Sequence, residues 1–307
     1  MIVIMFLAIV VDRPALAMRN VALAALVILA VIPESLFNAG FQLSFAAVTA
    51  LVAGYEAYRI RADRRRRQGL GIMSQAIGRM KWLRGLWQFL AGTIATTLLA
   101  GLATAPIAAY HFHQTQTFAV ATNLIAVPLS NVVVMPAALA AFLAMPLSLE
   151  AYPLALMKLG IDGMTYAARW VAGWSGAVVA IPAFPETALI VMLAGGLWLC
   201  LWIRPWRWFG VPVVLLGAGL AANIERPAIL VGEEGRLVAV RGPSGLSAIE
   251  APATTFALKR WLAADGDTRA PDEVRKRSAF YCDLAGCIAK VTGKTVAVPR
   301  SPAALPE

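Results

Sequence analysis

The sequence predicts an α-helical polytopic membrane protein of about six or seven spans plus an amphipathic interfacial helix, followed by a small α/β tail. Three observations predict it. Of 307 residues, 60 % are hydrophobic and only 14 % charged, with a mean hydropathy of +0.71. Soluble chains carry about 25 % charged residues and roughly half apolar ones. Apolar runs recur along the first 224 residues, and a helix of about 20 such residues crosses a hydrocarbon core. The net charge of +10 is concentrated: residues 59–84 hold nine Lys or Arg against one acid, whereas from Glu225 onward twelve bases meet ten acids. One soluble domain is thereby excluded, and so is a disordered chain, which would be poor in apolar residues. The expected division is a membrane domain over 1–224 and an incomplete soluble α/β tail over 225–307.

Residues 1–11 are apolar but too few to span, and Asp12-Arg13-Pro14 ends them. Ala15-Leu16-Ala17 mimics a cleavage site, yet no base precedes the apolar run. The segment reads as half a transmembrane helix, with the chain beginning inside a larger protein. Residues 21–37 form a short span broken near its end by Pro33 and Glu34, 39–58 the next, and 88–108 a fourth. Residues 118–145 make a longer span containing Pro128 and Pro136, whose freed carbonyls need neighbouring helices or hydroxyls. In 150–170, Lys158, Asp162 and Arg169 share one helical face; this suits a helix at the interface or beside a wet cavity. Residues 187–203 and 208–224 are two further spans, joined by Arg204-Pro205-Trp206-Arg207.

The positive-inside bias puts the basic 59–87 loop in the cytoplasm, with Arg13 and Arg19 on the same side and residues 111–116 outside. Arg204 and Arg207 prefer the cytoplasm, which sends the last helix and the tail outward; the parity of 150–170 decides this. In the tail, Ile229–Val231, a turn over 232–235 and Leu237–Val240 form a hairpin pattern, Phe256–Ala264 is helical, and 279–282, 287–291 and 295–298 are short strands. With few large apolar residues its core is marginal, and the tail reads as the first part of a domain continuing elsewhere. Cys282 and Cys287 bracket a four-residue turn and suit a local disulfide in an oxidising compartment. Zinc would need about four ligands, and no other Cys or His is nearby. Cys200 reads as packing within a span.

The most unusual string is Asn38-Ala39-Gly40-Phe41-Gln42-Leu43-Ser44-Phe45-Ala46-Ala47, which opens a spanning helix. Two readings fit. In one, Gly40 and Ala46 allow close helix approach and Gln42 is interhelical glue. In the other, Gln42 and Ser44 face water, with Phe41 and Phe45 one turn apart as a stacking surface. Thr93, Thr97 and Thr104, with Thr96 beside them, line one side of the 88–108 helix, and Asn123, Ser130 and Asn131 do the same on the following span. Back-bonding to helical carbonyls explains such hydroxyls without a pore. A conduit for a polyanion would also use hydroxyls, amides and aromatics. Lys158 and Arg169 are candidate strand contacts, although Asp162 is a ready partner for Lys158. The Arg64–Arg67 cluster suits anionic lipid or phosphates. His111 and His113 read as structural or solvated, being two apart with no carboxylate or Cys nearby.

The Asn38–Ala47 string resembles the signature of the ComEC family of competence proteins, the inner-membrane channels of DNA uptake. Ala103-Thr104-Ala105-Pro106-Ile107-Ala108-Ala109-Tyr110-His111-Phe112 and Thr122-Asn123-Leu124-Ile125-Ala126-Val127-Pro128-Leu129 resemble two further family segments in the expected order. The resemblance implies passage of single-stranded DNA through a bacterial inner membrane during natural transformation; with the charge bias above, the outward tail is then expected in the periplasm. It also implies membrane lipid, a DNA receptor and a cytoplasmic motor or helicase as partners, within an oligomer. There are departures. The family's usual N-terminal soluble module and earlier helices are missing. Many members end in a metallo-β-lactamase-like domain, but residues 225–307 contain no histidine, so a binuclear metal hydrolase is not expected. No catalytic residue, metal or cofactor is expected, and no Walker-type loop supplies energy. A small-solute transporter, or a non-functional fragment of such a channel, are the alternatives.

Overall fold

The computed structural model describes residues 17–67, 81–223, 226–232, 237–242, 245–250, 255–276, 280–282, 286–291 and 294–299. The half-helix expected at 1–11, the middle of the basic segment (68–80) and the turn residues expected at 233–235 and 283–285 lie outside the described residues.

α1 (Met18–Val31) ends where Ile32 leaves the helix at φ −137°, and Pro33 opens a 3₁₀ turn, Pro33–Phe37. Proline disfavours helical geometry in the residue before it, which is why the predicted break falls there. α2 (Ala39–Arg67) follows. It corrects one expectation: the basic 59–87 segment is not all loop, because α2 continues through Arg59–Arg67 and α3 (Lys81–Phe112) begins at its far end. Ala and Arg are strong helix formers, and neither Gly nor Pro interrupts residues 55–67. β1 (Gln114–Gln116) leads to α4 (Ala119–Leu129), a π-helical turn (Ser130–Val134), α5 (Met135–Ala144) and a 3₁₀ turn (Met145–Leu147). Pro128 and Pro136 bracket the π turn, as expected where proline removes a rung of the hydrogen-bond ladder. α6 (Ala151–Ala172), β2 (Val178–Ala180), α7 (Glu186–Leu201), a 3₁₀ turn (Pro205–Phe209) and α8 (Gly210–Ala222) complete the helical part.

Among the described residues, two helical stretches are long and apolar enough to cross a membrane, Gly85–Phe112 and Ala119–Leu147, and α1 and α7 are shorter apolar helices. Their large side chains point outward: Leu102 and Val132 are each 73 % exposed and Phe142 68 %. Apolar surface of this extent suits lipid and not water. The protein is thus mostly helical, with two candidate membrane-crossing stretches and a small sheet-bearing tail.

The chain divides into two compact units, one within Met1–Ala108, Gln116–Val179 and Ile190–Leu216, the other within Ala109–Thr115, Ala180–Leu189 and Gly217–Glu307. The first is held by small residues. A Cβ on Gly160 would lie 2.8 Å from Val134 Cγ2, and one on Gly163 3.2 Å from Leu129 Cδ1. With Gly160, Ala167 and Val171 buried, this face of α6 packs on α4, the π turn and α5, close approach being what small residues permit between membrane helices. Gly195 of α7 and Gly210 of α8 are similarly close, a Cβ on the former lying 2.8 Å from the Gly210 carbonyl oxygen.

The second unit carries the tail. β3 (Ile229–Val231), β4 (Leu237–Gly242) and β5 (Gly245–Glu250) form an antiparallel sheet in that order. α9 (Thr255–Asp265) and α10 (Pro271–Lys276) follow, then a second antiparallel sheet of β6 (Phe280–Cys282), β7 (Gly286–Val291) and β8 (Lys294–Pro299). Successive strand residues point to opposite faces. Leu237 and Ala239 accordingly join Leu258, Leu262 and Val274 in one core, while Val238 and Val240 join Phe280, Cys287 and Ala289 in another. β4 is therefore buried on both faces, which explains its unbroken apolar run.

Candidate functional site

The Asn38–Ala47 string begins with a cap. Asn38 has extended backbone geometry and its Oδ1 accepts the Gly40 N–H at 2.8 Å, an N-cap satisfying one orphan donor of α2. Gln42 Nε2 donates to the Leu36 carbonyl at 2.9 Å, so the amide ties the first turn of α2 to the preceding 3₁₀ turn. This local partner was not evident from periodicity, because it depends on the turn after Pro33. Phe41 and Phe45 stack along the helix with centroids 4.3 Å apart. Both are half-buried, as is Gln42, whereas Ser44 is exposed.

On α3 the threonines divide. Thr96 Oγ1 donates to the Gly92 carbonyl at 2.9 Å and Thr104 Oγ1 to that of Ala100 at 2.8 Å, the back-bonding that needs no pore. Thr97 behaves differently: its Oγ1 accepts a hydrogen bond from Asn123 Nδ2 at 3.4 Å. The two stretches long enough to cross a membrane thus share an amide–hydroxyl contact, with Thr93 buried one turn before Thr97. From Gly85 to Leu147 the sequence has no Asp, Glu, Lys or Arg. Asn131 is exposed in the π turn.

On α6, Lys158 Nζ lies 3.1 Å from Asp162 Oδ2, with the side chains 77 % and 59 % exposed. Arg169 is exposed and, among the described residues, carries no ion pair. At 100° per residue this charged stripe lies opposite the Gly160–Ala167–Val171 packing face. The expected amphipathic helix therefore turns its charges away from the helices it packs on. Between α4 and α6 lies a cavity of about 230 Å³ lined by Gln116, Phe118, Thr122, Ala168, Val171 and Val178, among others. Sequence reasoning missed it, since small residues far apart in sequence make the space. It also missed an aromatic turn in which Trp198, Trp202 and Trp206 meet within 4.8–6.2 Å. The signal for the latter is Trp at four-residue spacing beside Arg-Pro, the pattern of an interfacial anchor.

In the second unit, α3 ends at His113, whose φ of +55° places it in the left-handed region, a helix-terminating conformation. Its carbonyl accepts the Ile181 N–H at 2.9 Å. Burial, then the charges of Arg260 and His111, hold His113 below the usual imidazole value. Tyr110 packs edge-on against His111 and Phe184, at 5.1 and 5.7 Å. Among the described residues, no group of three or more His, Cys, Asp or Glu is placed to hold a metal ion. Cys282 and Cys287, opposite one another on β6 and β7, are joined as a disulfide.

Among the described residues the helical unit thus combines apolar helices with a few polar contacts, the Thr97–Asn123 hydrogen bond and the exposed Lys158–Asp162 pair. No curated protein and no solved structure matches the chain. A family model, described as "Competence protein", matches residues 1–206 and includes all three motif segments. Matched over 206 of its 307 residues, the chain belongs to the competence protein family.

Proposed function

We propose that this protein is a component of the bacterial inner-membrane channel that passes single-stranded DNA into the cytoplasm during natural transformation. Membership of the competence family, over a region containing the three ordered motifs, carries the reading. The uncharged Gly85–Leu147 region with its Thr97–Asn123 contact supports it, because a wall for a polyanion should offer hydroxyls and amides without acids. Phe41, Gln42, Ser44, Phe45, Thr93, Thr97, Thr104, Asn123 and Asn131 are its lining candidates, with Lys158 and Arg169 as basic contacts. Six or seven spans, a cytoplasmic basic segment and a periplasmic tail complete the proposed topology. The chain catalyses nothing itself; a motor or helicase partner supplies energy, a receptor delivers DNA, and copies assemble into an oligomer.

The test is deletion of the gene in a transformable host, followed by uptake of labelled DNA into a nuclease-resistant pool. Loss of uptake, restored by the parent gene, supports the reading, and unchanged uptake refutes it. Gln42→Leu and Phe41→Ala should lower uptake without lowering membrane abundance; an equal fall in abundance assigns them to packing. One observation favours a small-solute transporter instead: the π turn between Pro128 and Pro136 interrupts a spanning stretch, and transporters bind at broken helices. Unchanged DNA uptake with loss of a solute-transport phenotype would select it.

A further inference from the structure

The turn that joins α7 to α8 is rich in hydrogen-bond donors. Arg204 stands at the start of the 3₁₀ turn Pro205–Phe209, and its carbonyl accepts the Arg207 N–H at 2.9 Å. Two guanidiniums are therefore carried one tight turn apart. Arg204 is exposed and Arg207 half-buried, and among the described residues neither carries an ion pair. Acids are remote along the chain. Glu186 opens α7 and Glu225 follows α8, and each helix is about 20 Å long. Trp206, between the two arginines in sequence, completes the aromatic cluster with Trp198 and Trp202. Trp198 Nε1 donates to the Trp206 carbonyl at 3.2 Å, which ties α7 to the turn. The indole N–H groups of Trp202, Trp206 and Trp208 find no acceptor among the described residues.

Guanidiniums and indole N–H groups only donate, so their complement is a group that only accepts, and a phosphate is one. Apolar side chains flank the same turn, with Ile203 62 % and Phe209 65 % exposed. A free phosphate would leave that apolar rim uncovered, and a DNA strand brings no acyl chain to it. A phospholipid supplies both parts. A zwitterionic headgroup would set its ammonium beside two guanidiniums, whereas a headgroup of net negative charge does not. We propose that the α7–α8 turn is a binding site for one anionic phospholipid. Arg204 and Arg207 hold its phosphate, the tryptophans meet its glycerol region, and its chains cover Ile203 and Phe209. An ordinary aromatic anchor at the membrane surface is indifferent to headgroup charge; this site is not. It requires α7 and α8 to lie in the membrane, as in the topology proposed above, and is independent of DNA passage.

The full chain in maltoside micelles, titrated with phosphatidylglycerol or with phosphatidylcholine of the same acyl chains, tests the site. Native mass spectrometry reads the fraction of protein carrying one added lipid. Each base near an anionic headgroup contributes about fivefold in affinity, so phosphatidylglycerol should bind about 25-fold more tightly. Arg204→Gln and Arg207→Gln should each remove about fivefold of that preference, and the double variant nearly all of it, with phosphatidylcholine binding unchanged. Arg204→Lys should keep most of the preference. Trp202→Leu should weaken both lipids alike, its fold checked by thermal melting. Arg19→Gln, at an exposed base near the start of α1, should change neither. Equal binding of the two lipids by the parent would overturn the site. So would Arg19→Gln removing as much preference as Arg204→Gln, because the attraction would then be diffuse. Displacement of phosphatidylglycerol by oligothymidylate or by inorganic phosphate at equal concentration would also overturn it. A bimane label on Ile203→Cys, in a Cys200→Ser background and in nanodiscs of brominated phosphatidylcholine, tests the membrane position separately. Strong quenching without lipid preference removes the site and leaves the topology, and absence of quenching removes both.

Discussion

Gly195 and Gly196 are adjacent on α7, yet the same substitution at each should act in opposite directions. A Cβ on Gly195 would stand 2.8 Å from the Gly210 carbonyl oxygen and 2.8 Å from the Val214 backbone nitrogen, whereas one on Gly196 meets nothing within 4 Å. Ordinary contact begins at about 3.4 Å, so 3.4 − 2.8 leaves α7 and α8 about 0.6 Å too close for Gly195→Ala. The obstacle is backbone on the partner helix, which has no rotamer by which to yield. Both substitutions gain the same helix propensity, roughly 0.5–1 kcal/mol, and that gain cancels in their difference. What remains is the overpacking cost, about 1–3 kcal/mol. Gly196→Ala should therefore match or exceed the parent in thermal stability, and Gly195→Ala should fall below Gly196→Ala by that amount. Fluorescence-detected size exclusion of detergent-solubilised protein after a temperature ramp measures both. Equal stability of the two variants would refute the proposed α7–α8 contact.

Three further outcomes are expected. Asn123→Ala and Thr97→Val should each cost about 0.6 kcal/mol, the average for polar contacts between membrane helices, and the double variant no more than either alone; additive losses would mean the two side chains do not interact. The hydrogen bond from Arg269 holds the Asp267 carboxyl below its ordinary value, so its contribution to stability is present above the unfolded-chain value and is lost as pH falls through the lower folded value. Asp267→Asn should flatten the acid limb of a stability–pH profile below about pH 4 and leave the neutral region's slope unchanged. Cys282→Ser should lower the melting point of the tail by the equivalent of about 2 kcal/mol, as for removal of a short-loop crosslink, and reduction of the parent protein should reproduce the loss.

Much of the fold was legible because membrane helices and buried strands announce themselves locally. Pro33 marked the end of α1, Pro128 and Pro136 marked the widened turn, and the strand and helix positions from Ile229 to Val298 fall within a few residues of those read from alternation and turn residues. β5 was missed because Gly245-Leu246-Ser247-Ala248 follows directly on Gly242-Pro243-Ser244 in the sequence and has little side-chain bulk. α10 was missed because its six residues are mostly charged. The interior of the candidate site was less legible. Thr97 and Asn123 are 26 residues apart, and only tertiary packing separates Thr97 from the back-bonded Thr96 and Thr104.

The two-sided burial of β4 also governs the order in which the tail can form. Val238 and Val240 are dry only once Phe280, Cys287 and Ala289 are in place, and Leu237 and Ala239 only once α9 and α10 are. No stable half-tail exists on this account. A ribosome that has released the chain only as far as α10 has made a sheet with one wet apolar face, prone to self-pairing. The tail should consequently acquire protease resistance in a single late step, after β7 emerges, and a stop codon anywhere between α10 and β7 should expose the whole tail to degradation.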